Sequence, residues 1–269
     1  MIYSIACHCL PANDTRLVVL SDALYREAAV HIQCITRDQG IEALQAILLL
    51  ALRSQFDANT GSLGQLVAFA HRLEIQLNSP ETQERTATLQ WLRCTVYCLS
   101  QQLSSALDRP YNLTEPDATA LQETTPQARY LCSLYARQSK CRTDSCSPVA
   151  DTCEIPEPAP IIFTTMCQTR FMAQASVASA MQVLATYNDD RMVLNVFSSH
   201  WVYEAASYVI QHANEVTMIE ASIIASQVLE RCASKWPSAG ALQKRLQTLA
   251  MRNRRATDSF RASELFMLS

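Results

Sequence analysis

Residues 42–56 read EALQAILLLALRSQF. Apolar side chains fall on nearly every side of a 3.6-residue helix here, and neither glycine nor proline interrupts it. A helix apolar nearly all round belongs in the middle of an assembly, where it meets neighbours on several sides. Outward from this segment, Asp57 to Gly61 reads as a turn. Leu63, Leu66, Val67, Ala70, Leu73 and Leu77 then make the stripe of a second helix over 62–77. Upstream, Ser21 predicts the cap of a helix whose face carries Leu24, Ala28, Ile32 and Ile35. Downstream, Ser79–Pro80 is a helix start signal, a capping hydroxyl followed by proline at the first helical position. Leu89, Leu92, Val96, Leu99 and Leu103 follow at alternating spacings of three and four, the pattern of a bundle seam.

The same period continues beyond two proline-rich interruptions. Residues 108–126 read as a loop, 128–139 as a short helix, and 140–160 as a linker or insertion holding Cys141, Cys146 and Cys153. Phe163, Cys167, Phe171, Ala175, Ala178, Met181 and Ala185 predict one helical face. Met192, Val196, Tyr203, Ala206 and Ile210 predict the next, Met218, Ala221, Ala225, Val228 and Cys232 a third, and Leu242, Leu246 and Leu249 the last. No strand-like alternation persists, so the expected fold class is all-α. The organisation expected is a helical half over 1–139, the linker over 140–160, and a second helical half with a basic tail over 161–269.

Composition excludes several function classes. The chain of 269 residues holds only 4 glycines, and phosphate-cradling loops need glycine where backbone approaches ligand, so Rossmann and P-loop chemistry are not expected. A formal net charge of −3 gives no overall pull toward nucleic acid or anionic membrane. One basic stretch stands apart: Arg231, Lys235, Lys244, Arg245, Arg252, Arg254, Arg255 and Arg261, against Asp258 alone. It reads first as a solvated helix end, and second as a phosphate-contacting or nuclear-import patch. Residues 1–10 lack the basic start of a signal peptide, and the longest apolar run, 46–52, is far short of a bilayer span. Without a secretion signal, the 11 cysteines read as reduced thiols rather than a disulfide framework.

Reactive constellations are sparse. Structural zinc sites draw paired ligands from short fixed spacings, and no C-x2-C pair exists. Cys94 and Cys98 lie one turn apart on a predicted helix and read as small hydrophobes in the core. Cys7–His8–Cys9 is dense, but consecutive helical residues point apart. His200 and Glu204 stand four apart, with Trp201 and Tyr203 beside them, and read as packing before acid–base chemistry. No catalytic, cofactor-binding or metal-ligating residue is assigned, and no enzyme activity or cofactor is expected.

The order of segments carries more. LYREAAVHI, EALQAILLLALRSQFDANTGSLGQLVAFAHRLEIQL, ERTATLQWLRCTVYCLSQQLSSALDRPYNL and VLERCASKWPSAGALQKRLQTLA together resemble the middle homology region of fungal-specific transcription factors. Leu44–Leu52 matches its LQ-A-LLL helix, Arg109–Pro110 part of its G-R-P loop, and Trp236–Ala239 its W-P-x-A element. The resemblance spans roughly residues 20–250. It implies an all-helical regulatory domain of the type that usually follows a binuclear zinc cluster. Departures are the missing six-cysteine cluster, Asn78 in place of glycine, and Val96–Tyr97 in place of an F-W pair. The implied protein is a pathway-specific, nuclear, transcription-regulator-like chain without its own DNA-reading module, of the kind found in secondary-metabolite gene clusters. It would meet DNA only indirectly. It would work through contacts with other regulators or the transcription machinery, as a homo- or heterodimer, or by sensing a small-molecule effector, with no membrane role. Two other readings stand beside it. One is a helical small-molecule binder or enzyme, for which His200, Tyr203, Glu204, Cys94 and Cys98 are the residues to test and a concave apolar pocket with converging polar groups is the expectation. The other is a degenerate regulator fragment with an uncovered apolar face.

Overall fold

The computed structural model describes residues 1–10, 15–78, 87–107, 113–116, 121–122, 124–143, 159–190 and 192–267. Among the described residues the fold is all-α, with no strand. The helices are α1 (Ile2–Cys9), α2 (Thr15–Ile35), α3 (Ile41–Phe56), α4 (Leu63–Leu77), α5 (Ala87–Leu107) and α6 (Pro126–Thr143), followed by α7 (Pro160–Ala173), α8 (Val177–Asn188), α9 (Ser198–His212), α10 (Glu215–Ala233) and α11 (Pro237–Met267). Most helices pack on their neighbours in sequence. Two of them also act as hubs: α3 touches α1, α2, α4 and α5, while α9 touches α5, α8, α10 and α11.

The reading of α3 as a central helix holds, with Ala43, Leu44, Ile47, Leu48, Leu50 and Ala51 all buried. The seam of α5 is likewise buried from Leu89 to Leu103, as is the α10 stripe from Met218 to Cys232. One continuous core runs from α3 through α5 to α11, so the two helical halves share a single interior. Their join is explicit: Val196 N–H donates to the Gln55 carbonyl at 2.8 Å, and Asn195 Nδ2 donates to Gln55 Oε1 at 3.4 Å. A second, smaller core lies on the opposite face of α5, where Cys94 and Tyr97 meet Cys132, Tyr135 and Ala136 of α6. Helix α5 is thus sandwiched between two apolar clusters.

Several boundaries differ from expectation. Ser21 is not a cap; α2 starts at Thr15, and Ser21 sits buried inside it. Ser4 Oγ donates to the Ser21 carbonyl at 2.8 Å and Ser21 Oγ to the Ser4 carbonyl at 2.9 Å. The small side chains let α1 and α2 approach closely, and each hydroxyl satisfies its proton across the contact. The single face expected from Phe163 to Ala185 is two faces on two helices. Ser176 starts α8 afresh through a capping box with Ser179, which resets the helical phase. Hence Ile162, Thr165, Cys167 and Thr169 point inward on α7, and Ala180, Val183, Leu184 and Tyr187 on α8, while Phe163, Ala178 and Ala185 are exposed. Met192 and Val196 precede α9 rather than lying on it. Helix α6 is longer than 128–139 and takes in residues 140–143 of the expected linker. Ser79–Pro80, Arg109–Pro110, Cys146 and Cys153 lie outside the described residues. Between α3 and α4, Gly61 takes a φ of 123°, a backbone state that side chains disfavour.

The N-terminal hairpin leaves Ile2, Tyr3, Leu10, Val18, Val19, Leu20, Val30 and Ile35 exposed. No described helix is long and apolar enough to cross a membrane.

Candidate functional site

A cavity of about 530 Å³ opens at the seam between the two cores. Its volume falls within the range of small-molecule sites. Helix α5 supplies Trp91, Cys94, Thr95, Cys98, Leu99 and Gln102, and α6 supplies Ala128, Leu131, Cys132 and Tyr135. Leu52, Gln55 and Phe56 at the end of α3 form another wall. Pro160 and Ile161 of α7, Met192, Val193 and Asn195 of the connection into α9, and Cys9 of α1 complete it. Trp91 is 50% exposed and stands at the rim. The cavity exists because the main core and the α5–α6 core close on different faces of α5, leaving the wedge between them unfilled.

Its lining is overwhelmingly apolar, with polar groups in two places. The first is an amide relay. Asn195 Nδ2 donates to Gln55 Oε1, and Gln55 Nε2 donates to Gln102 Oε1 at 3.3 Å. Asn195 is fixed in turn, because its Oδ1 accepts from the Phe197 N–H at 3.0 Å and from Ser198 Oγ at 3.3 Å. This chain fixes the direction of each amide, and its last member, Gln102, lines the cavity, where an amide can meet a guest's polar group. The second is a thiol cluster. Cys98 Sγ lies 3.4 Å from Cys132 Sγ, and Cys132 also hydrogen-bonds Cys94. The bond with Cys94 lowers the Cys132 pKa, but the bond with Cys98 and burial together outweigh it and hold this thiol protonated, well above the usual cysteine range. Burial likewise raises the Tyr135 hydroxyl. Among the described residues no group of three or more His, Cys, Asp and Glu side chains is arranged to hold a metal ion.

Of the residues singled out from sequence, Cys94 and Cys98 do share a face of α5, and that face lines the cavity. The partner that completes the cluster, Cys132, comes from α6, 34 residues along the chain from Cys98. Its only signal is the turn-by-turn match of Cys94 and Cys98 to a cysteine on the next helix. His200, Tyr203 and Glu204 lie on α9 outside the cavity wall; burial lowers the pKa of His200, and Glu204 is exposed. Cys7, His8 and Cys9 diverge: Cys9 reaches the cavity, whereas His8 turns to Arg53, Ser21 and Phe56. A second concavity of about 520 Å³ is lined by His71, Glu74, Arg93 and Tyr97, and there Arg93 Nε meets Glu74 Oε1 at 3.1 Å. Arg231 at the end of α10, Lys235 in the connection, and Lys244, Arg245, Arg252 and Arg254 along the body of α11 are exposed to solvent, so the basic stretch is not a helix end.

Comparison with protein-family models, with curated proteins and with solved structures gives no match for this chain.

Proposed function

We propose that this chain is an effector-binding regulatory module that takes a predominantly apolar small molecule into the cavity beside α5. The observation that carries the reading is the cavity itself: apolar walls from both cores, and one oriented amide relay to fix a single polar group on the guest. Binding there would be driven by removing apolar surface from water, with the amides choosing orientation. The wider role follows the resemblance to the fungal regulator middle region: a nuclear transcription-regulator-like protein of a pathway-specific gene cluster, answering to a metabolite and acting through protein contacts. The exposed apolar side chains of α1 and α2 support those contacts, since large exposed apolar patches favour association.

The binding reading is tested with 8-anilinonaphthalene-1-sulfonate, whose fluorescence rises in apolar sites. The expected result is saturable binding that is lost in Thr95→Trp, which fills the cavity from α5, and kept in Arg245→Glu on α11. Equal binding by both variants overturns it. The regulatory reading is tested by deleting the gene and profiling transcripts. Unchanged expression of clustered genes, together with exclusion of a fluorescent fusion from the nucleus, overturns that part.

A further inference from the structure

We infer that Cys98 and Cys132 form a redox modification site in the wall of the cavity, a dithiol that peroxide converts to a disulfide and that thereby controls uptake of the apolar guest. The control of uptake rests on the binding reading above; the chemistry of the pair does not.

Two features of geometry carry the inference. The sulfurs of Cys98 and Cys132 lie 3.4 Å apart, in contact but unbonded, and a disulfide needs them at about 2.05 Å. The closing distance is within the reach of side-chain rotation and a small shift of two helices that already pack together. The two thiols are also unequal. Both line the cavity, but Cys98 is half-buried whereas Cys132 is buried. A small oxidant therefore reaches Cys98 first, and Cys132 is positioned to resolve the product.

The steps balance with hydrogen peroxide as the two-electron oxidant. The Cys98 thiolate attacks one peroxide oxygen and breaks the O–O bond, giving a sulfenic acid and, after proton transfer, one water. The Cys132 sulfur then attacks the Cys98 sulfur, the S–O bond breaks, and the hydroxyl leaves with the Cys132 proton as a second water. Two thiols lose two electrons and two protons, and peroxide is reduced to two waters. Cys94, which hydrogen-bonds Cys132 from one turn earlier on α5, is the third thiol able to exchange into the bond.

The consequence follows from where the pair sits. Helices α5 and α6 supply more than half of the cavity lining between them. A covalent bridge pulls those walls together and removes two S–H groups from the surface a guest meets. The oxidised protein then takes up less of it.

The test uses the full chain, oxidised with hydrogen peroxide and digested without reduction. The expected product is a peptide pair joined through Cys98 and Cys132, lighter by two hydrogens than the separate peptides, absent in Cys98→Ser and restored to free thiols by dithiothreitol. Cys34→Ser, which changes an exposed thiol on α2, leaves it intact. Bridging through Cys9 or Cys34 instead, or Cys98 passing straight to sulfinic acid, overturns the pairing. In parallel, 8-anilinonaphthalene-1-sulfonate binding is expected to weaken several-fold on oxidation and recover on reduction, in wild type but not in Cys98→Ser. A bridge that forms with no change in probe binding overturns the control of uptake and leaves the cavity reading standing. A reduced protein that binds no probe overturns the cavity reading and, with it, the control, while the mass measurement still decides the pairing.

Discussion

The guanidinium of Arg53, wholly buried, donates to the carboxylate of Asp22 at 2.9 Å, and this ion pair fastens the N-terminal hairpin to the central helix. Arg53 also reaches Asp57 at 3.1 Å, hydrogen-bonds His8, and lies over the Tyr25 ring at 4.9 Å. One side chain of α3 thus gathers groups from α1, α2 and the turn that follows it. Arg53→Met keeps much of the volume and removes every polar contact. Because both carboxylates are partly exposed and screened by water, the expected loss is about 2–3 kcal/mol of stability. Urea unfolding measures it, and limited proteolysis should cut the α1–α2 hairpin first. A variant as stable and as resistant as wild type contradicts the anchoring role.

His8 makes that anchor sensitive to acid. Burial, with the nearby Arg53 charge, holds its pKa below the ordinary 6.5. Lys235 adds to the lowering, and Asp57 and Asp22 oppose it. The unfolded chain therefore takes up the proton before the folded one. The contribution of His8 to stability is complete above pH 6.5 and is lost as pH falls through that value toward the depressed folded one. Between about pH 7.5 and 5.5 the wild type should lose more stability than His8→Gln, by thermal unfolding at matched ionic strength. Parallel curves for the two proteins contradict it.

Leu184 of α8 is fully buried in the main core. Leu184→Ala leaves a cavity that the surrounding helices refill only in part, for an expected cost of about 3 kcal/mol. Chemical denaturation checks it. A cost below about 1 kcal/mol would mean that α8 packs loosely.

The capping box of Ser176 is worth about 1 kcal/mol, since Ser176→Ala strands the Ser179 N–H, now satisfied at 3.1 Å. The same substitution at half-buried Ser226, inside α10, where the hydroxyl caps no helix start, should leave the unfolding midpoint nearly unchanged. Equal effects at the two positions would remove the distinction.

Gln55 and Asn195 tie together the two halves of the chain. Gln55→Ala and Asn195→Ala should prove non-additive in a double-mutant cycle, with a coupling of about 1 kcal/mol. Simple additivity would show that the contact at 3.4 Å contributes nothing.

Much of the fold was legible because helical periodicity is local. The all-round apolar pattern of residues 42–56 located the central helix, and the spacing from Leu89 to Leu103 located the buried seam of α5. Periodicity fails where a local competitor wins. Ser176 restarts the phase between α7 and α8, and Ser21, a good capping residue by type, was taken up by Ser4 in the middle of a helix. The cavity was legible only in part. Cys94 and Cys98 were seen to share a face, but a thiol on a helix surface reads as core until its neighbour is known.

By itself, then, the sequence determined that this protein is built from helices and which face of most of them is apolar, because burial repeats every 3.6 residues along one strand of chain. Only the tertiary structure decided that α5 would be covered on two faces, that Cys132 would arrive beside Cys98 from 34 residues away, and that Arg53 would be sealed among Asp22, Asp57 and His8. Those contacts join residues distant along the chain. Their distances depend on how whole helices stack, which no spacing within a single helix encodes.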